Sequence, residues 1–167
     1  MPHPILLYDG VCGLCNRLVQ FILRRDSSGV FRFASLQSET ATRILERHGV
    51  DAHNLDTVYV VVNYGQTDEE VLPRSDAVIF MLRHLGAAEP STARPDQESG
   101  STVARAPTAP PPGLKRWRFA AYLLQIVLRP IRDWGYRIVA SNRYRIFGRY
   151  DTCPIPSDQT RTRFLDV

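Results

Sequence analysis

The chain opens with a short apolar run, Ile5 to Tyr8, that stops at Asp9-Gly10, the pattern of a buried strand entering a turn. Beyond the turn the apolar period lengthens. Leu14, Leu18, Phe21 and Ile22 recur every three or four residues, which predicts a helix from near Cys12 to Arg25 with those side chains on its inner face. Asp9 is placed to cap this helix, and Asp26-Ser27-Ser28-Gly29 ends it. Val30 to Phe33 supplies a second strand. Strand, helix and strand within about thirty residues make a βαβ unit, whose strands should be parallel and whose crossover should be right-handed.

The next segment repeats this alternation. Ser38 caps a second helix that carries Glu39 in its first turn, Arg47 and His48 in its last, and Gly49 beyond, as the charge preferences of helix ends require. Thr57 to Val62, TVYVVV, is the richest β-branched run in the chain. After a turn at Asn63-Tyr64-Gly65-Gln66, Glu69 to Leu72 returns as an antiparallel edge strand ended by Pro73. Ser75 and Asp76 then start a helix that buries Val78, Ile79, Leu82 and Leu85 and stops at Gly86. The order β-α-β-α-β-β-α, with two parallel strands, an antiparallel hairpin and helices on both faces, is an α/β architecture of thioredoxin-like type. Fold class alone assigns no activity.

From residue 87 to residue 113 the pattern disappears. Six prolines and almost no large apolar side chain leave too little surface to offset chain entropy, so this stretch reads as a flexible Pro-rich linker. It separates a body, residues 1–86, from a C-terminal extension, residues 114–167, which should be helical and pack on the body. The charge splits at the same place. Met1 to Gly113 holds 10 basic and 13 acidic residues, whereas Leu114 to Val167 holds 11 basic and 4 acidic. At 167 residues, 44% hydrophobic and 23% charged, the composition is globular, and three cysteines cannot build a disulfide-rich secreted scaffold. No basic stretch followed by a long apolar run marks a secretory signal, so the cytoplasm is the expected address.

The chemistry is carried by Cys12-Gly13-Leu14-Cys15. On the first turn of a helix, residues i and i+3 are neighbours about 5–6 Å apart, close enough for a disulfide to close. The helix mouth offers unpaired N–H groups and a positive dipole end, which favour a thiolate and lower its pKa toward about 7 or below. Cys12, nearer the end and less covered, is the expected nucleophile, and Cys15, one turn deeper, the resolving thiol. Gly13-Leu14 brings no positive charge, so a moderate pKa depression and a reducing or middling potential are expected. Asp9 has three readings: capping the Cys12 N–H, shuttling the proton of Cys15, or raising the thiol pKa by repulsion.

Two alternatives give these cysteines no redox role. A structural zinc site needs two further ligands, and Cys153, His3, His48, His53 and His84 are scattered without ligand spacing. Simple core packing suits free cysteines in general but not a pair lying between a strand and a helix start. A C-x-x-C at the head of a βαβ unit is instead a thioredoxin-like redox signal.

Tyr8-Asp9-Gly10-Val11-Cys12-Gly13-Leu14-Cys15-Asn16 resembles the D-G-x-C-x-x-C-N signature of the DCC family of predicted thiol-disulfide oxidoreductases. The resemblance continues through Phe31 to Ser38, through Ser75-Asp76-Ala77 with Leu85-Gly86, and through Arg132-Asp133 to Tyr136, Asn142-Arg143-Tyr144, Phe147-Gly148 and Cys153-Pro154-Ile155-Pro156. It covers nearly the whole chain except the linker, which is long for the family. It implies a thioredoxin-like fold and a redox-active Cys12/Cys15 pair, with Asp9 as the third signature residue. Thioredoxins proper carry a cis-proline before the third strand, whereas here Leu55-Asp56-Thr57-Val58 has no proline.

The extension begins LKRWRFAAYLLQIVL, whose apolar part is far short of the about 20 residues that cross a bilayer. Pro130 opens a second helix with Ile131, Trp134 and Ile138 at helical spacing. Three readings stand open for it. A helical hairpin could bury these aromatics on the body, or residues 115–128, with Arg116, Trp117 and Arg118, could lie on anionic lipid as a peripheral membrane contact. The interleaved Arg143, Tyr144, Arg145, Phe147, Arg149 and Tyr150 could stack on nucleic acid, though no recognised RNA module surrounds them.

The sequence thus points to a thiol-disulfide oxidoreductase acting on a protein or low-molecular-weight disulfide, with a thiol-based electron donor and no organic cofactor. The contrasting class is a non-enzymatic adaptor that docks on a membrane or a partner protein through the arginine-rich extension.

Overall fold

The computed structural model describes residues 3–26, 28–51, 57–85, 114–150 and 158–166. The linker, His53, Cys153 and the side chains of Lys115 and Arg116 lie outside the described residues. Strand β1 (Ile5–Tyr8) leads to α1 (Gly13–Arg25), β2 (Arg32–Ser35), α2 (Glu39–Arg47), β3 (Tyr59–Val62), β4 (Glu70–Pro73) and α3 (Arg74–His84). The strands form one sheet in the order β2-β1-β3-β4. β1 is parallel to β2, with Ile5 opposite Arg32, and antiparallel to β3, with Leu6 opposite Val60; β3 and β4 are antiparallel. This is the expected thioredoxin-like arrangement.

Alternation along the strands divides the core in two. Leu6, Tyr8 and Val60 face α1 and α3, where they meet Val19, Ile22, Ala77 and Met81. Ile5, Leu7, Tyr59 and Val61 face α2, where they meet Ala41, Ile44 and Leu45. The Ser38 side chain accepts the Ala41 N–H at 3.2 Å, a cap of the kind worth about 1 kcal/mol.

The third and fourth strands start slightly later than the pattern, at Tyr59 and Glu70, and the starts of β2 and α3 differ for identifiable reasons. β2 begins at Arg32 rather than Val30 because the buried Asp26 carboxylate takes the Val30 and Phe31 N–H groups, at 3.0 and 2.9 Å, before the ladder starts. Asp26 also pairs with Arg163 from the C-terminal segment, and that segment bonds Phe33 on both sides through Arg163 and Leu165. Ser75 does not cap α3, whose cap position is Pro73; its hydroxyl accepts a 2.9 Å hydrogen bond from Arg132 Nε and donates to Asp133.

Those contacts fasten the extension. Helices α4 (Leu114–Ile126) and α5 (Arg129–Phe147) lie on the layer made by α1 and α3. Trp117 packs edge-on against Phe21, with the ring centroids 5.1 Å apart. The expectation that the aromatics of both helices are buried fails: Phe119 and Tyr122 of α4 and Trp134 of α5 are exposed, as are Ile131 and Ile138. The reason is that α5 is held by its polar side. Arg132 bonds Asp76 at 2.6 Å, the Tyr136 hydroxyl accepts the Val58 N–H at 2.9 Å, and Arg143 reaches Asp9. These residues occupy one face, and the apolar stripe is left on the other.

Candidate active site

The turn between β1 and α1 is fixed by side chains on both sides of it. Asn16 donates to the carbonyls of Gly10, at 2.7 Å, and Cys12, at 3.0 Å. Gln37 accepts the Gly10 N–H and donates to Asp9 at 2.8 Å. Cys12 then stands at the N-cap of α1 in extended conformation, with no acidic residue in the first helical turn, and Cys15 lies one turn in.

Asp9 does not cap the helix with its carboxylate. The Cys12 N–H goes to the Asp9 backbone carbonyl at 3.2 Å, while the carboxylate takes the Val11 N–H, Gln37, Arg143 and Tyr144. The capping expectation is corrected on this point, because an Asx-type bond to Val11 uses the oxygen that would have served the helix. Arg143 bonds the other carboxylate oxygen at 2.9 Å from 134 positions along the chain, and both side chains are buried. A buried carboxylate is tolerated when a guanidinium neutralises it and hydrogen bonds fill its lone pairs.

The two thiols are both free and hydrogen-bonded to each other. The bond from the Cys15 side chain lowers Cys12 from 9.0 to about 6 against the cost of burial, helped by the backbone N–H groups of Cys15 and Leu14 and by the charge of Arg143. That same bond, burial and the Cys12 charge push Cys15 up. Positive charge absent from Gly13-Leu14 is thus supplied by α5.

Access differs from the expectation. Cys12 is 0% exposed and Cys15 3%. A stretch of backbone after α5 pairs along this turn: Cys12 forms a bridge with Arg149, the Gly13 N–H bonds the Gly148 carbonyl at 3.1 Å, and the Tyr150 N–H bonds the Val11 carbonyl at 2.8 Å. A Cβ on residue 13 would collide with the Phe147 carbonyl, which explains a glycine next to Cys12. Cys15 borders an apolar cleft of 520 Å³ lined by Leu14, Leu18, Val58, Leu124, Ile131 and Tyr136 among others. Burial raises the Tyr136 hydroxyl to about 12.

The remaining candidates fall elsewhere. His3 bonds the Val30 carbonyl, His48 pairs with Glu69, and His84 bonds the Phe80 carbonyl. Among the described residues no three His, Cys, Asp or Glu side chains are grouped to hold a metal. Arg143 and Tyr144, read as nucleic-acid contacts, turn inward onto Asp9. Their part in the site is what the chain pattern did not reveal. The spacing of Arg132, Tyr136 and Arg143 along one helical face was the available signal.

The chain is 36% identical over 165 residues, 99% of its own length and 96% of the relative's, to the uncharacterized protein YuxK of Bacillus subtilis (strain 168). It is 30% identical over 153 residues, 92% of this chain and 70% of the relative, to a chloroplastic DCC family protein of Arabidopsis thaliana. No solved structure matches. A family model described as DCC1-like thiol-disulfide oxidoreductase matches residues 6–97, a span holding both thiols, their turn and all of the sheet but Ile5, and the chain belongs to that family.

Proposed function

We propose that Cys12 and Cys15 are the catalytic pair of a dithiol-disulfide exchange with a protein or low-molecular-weight disulfide, reset by a thiol-based donor. The reading is carried by one observation: two free thiols stand together at the mouth of α1, Cys12 at its N-cap and Cys15 one turn in. In the first step the Cys12 thiolate attacks a substrate sulfur. The substrate S–S bond breaks, its far sulfur leaves as a thiolate and takes a proton, and a mixed disulfide joins Cys12 to the near sulfur.

The second step follows from the first. Once Cys12 is in a disulfide it carries no charge and no longer accepts the Cys15 proton, so two of the influences that hold Cys15 up vanish. Cys15 then ionises and attacks the Cys12 sulfur. The Cys12–Cys15 disulfide forms, and the substrate departs with both sulfurs reduced. Asp9 touches neither sulfur with its carboxylate; it is a positioning residue that keeps Arg143 beside the pair.

Reduction of a model disulfide by the wild type and by Cys12→Ser tests the proposal. The wild type should consume one disulfide per protein and Cys12→Ser none, while Cys15→Ser should stall as a mixed disulfide at Cys12. Equal behaviour of wild type and Cys12→Ser removes the enzyme reading and leaves the adaptor.

A further inference from the structure

Helices α4 and α5 cover the dithiol layer yet expose an unusual amount of carbon. On α4, Phe119, Tyr122, Leu123 and Ile126 are all exposed, Phe119 at 62%. Their spacing of three, four and seven residues places them on one stripe, opposite the buried Ala121. On α5, Ile131, Trp134 and Ile138 form a second stripe, with Trp134 66% exposed. α4 rests on α3, and α5 on α1 and α3, so both turn an outer side away from the helical layer that carries the dithiol. Exposed apolar stripes of this kind mark a contact site.

The charge around it selects the partner. Residues 114–150 hold nine basic residues and one acidic residue, Asp133, which is bonded to Ser75. Arg118, Arg137 and Arg145 are exposed beside the stripes. A second copy meeting this face by two-fold symmetry would set arginine against arginine. An anionic bilayer accepts both features at once, with the stripes entering the headgroup boundary and guanidinium groups pairing with lipid phosphate and carboxylate. Among the described residues no helix is long and apolar enough to cross a membrane, so the contact lies at the surface.

The apolar cleft beside Cys15 supports the same orientation. Val127, Ile131 and Val139 are at once walls of the cleft and exposed residues, so the cleft is continuous with the striped face. Turned toward water, such a mouth is unfavourable; turned toward lipid it is not.

We propose that the outer face of α4 and α5 docks on an anionic membrane surface with the cleft mouth toward the lipid. Trp117, first read as the lipid contact, is replaced in this role by Phe119, Tyr122 and Trp134, because Trp117 is held against Phe21. The inference does not depend on the dithiol chemistry.

Co-sedimentation of the full chain with vesicles of phosphatidylcholine containing phosphatidylserine, and with phosphatidylcholine alone, tests it. Binding should be about tenfold stronger with phosphatidylserine and weaken with salt. It should be lost in Phe119→Glu/Trp134→Glu and reduced in Arg137→Glu/Arg145→Glu, with the rate of Cys12 alkylation unchanged in both as a check on folding and on the separate redox site. Absence of binding at low salt, equal binding to both vesicles, or binding untouched by these substitutions overturns the proposal. So does a stable dimer without lipid that Phe119→Glu/Trp134→Glu dissociates, which would assign the face to a second copy.

Discussion

Arg143 on α5 donates a 2.9 Å hydrogen bond to the Asp9 carboxylate, and both groups are buried. This contact ties the extension to the turn that carries the cysteines, and it places a guanidinium close enough to lower Cys12. Arg143→Met strands a buried carboxylate, and the expected loss is about 3–5 kcal/mol in denaturant unfolding. It should also raise the Cys12 pKa. Arg143→Lys should recover part of the pKa effect, since the charge returns, but less of the stability, since a lysine cannot reproduce the guanidinium contacts to both Asp9 and Tyr144. Unfolding curves and alkylation rates measured on the same variants separate the two effects.

The pH dependence of Cys12 has a definite sign. Its folded value, about 6, lies below the ordinary 9.0, so the thiolate is the folded form that gains. Stability from this group is present above about pH 9 and is lost as pH falls through about 6. Iodoacetamide alkylation should rise as pH climbs through about 6 and then level off. In Cys15→Ala, which removes the largest lowering influence, the midpoint should move up; Cys15→Ser, which keeps a hydroxyl donor, should fall between.

Gly148 adopts φ 77° and ψ 173° at the end of α5, and its carbonyl accepts the Gly13 N–H beside Cys12. No neighbouring atom would obstruct a Cβ there, so the penalty of Gly148→Ala is backbone strain, about 1–3 kcal/mol. That strain loosens the backbone paired along the Cys12 turn, and Cys12 alkylation at a pH well above its pKa should accelerate about fivefold or more. An unchanged rate would mean that reagents reach Cys12 by another route.

Asp26 serves as an internal control. Its carboxylate takes two backbone N–H groups and Arg163, far from the thiols in the chain, so Asp26→Asn should cost about 3 kcal/mol in unfolding free energy while leaving the alkylation midpoint in place.

The sheet, its two helical layers and the position of the cysteines were legible because each rests on local periodicity. Ile5–Tyr8 and Tyr59–Val62 alternate between two cores, and Ser38 caps α2 through its own side chain. What local pattern could not supply was contact across the chain. The charge beside Cys12 comes from Arg143, and the backbone paired along its turn comes from Gly148 to Tyr150. Apolar spacing also selected the wrong side of α5. Ile131, Trp134 and Ile138 form the cleaner stripe, but the inner face is set by Arg132, Tyr136 and Arg143, whose partners Asp76, Val58 and Asp9 lie more than fifty positions away. A polar anchor face has no hydrophobic signature, so periodicity passes over it.

Equilibration of the protein across a series of glutathione redox buffers, followed by acid quenching and peptide mass analysis, tests the exchange most directly. The account predicts one reversible two-electron transition in which the Cys12 and Cys15 thiols disappear together and their peptides become joined by a disulfide. Failure of that bond to form at any buffer ratio, or oxidation of the two thiols independently of each other, would contradict it.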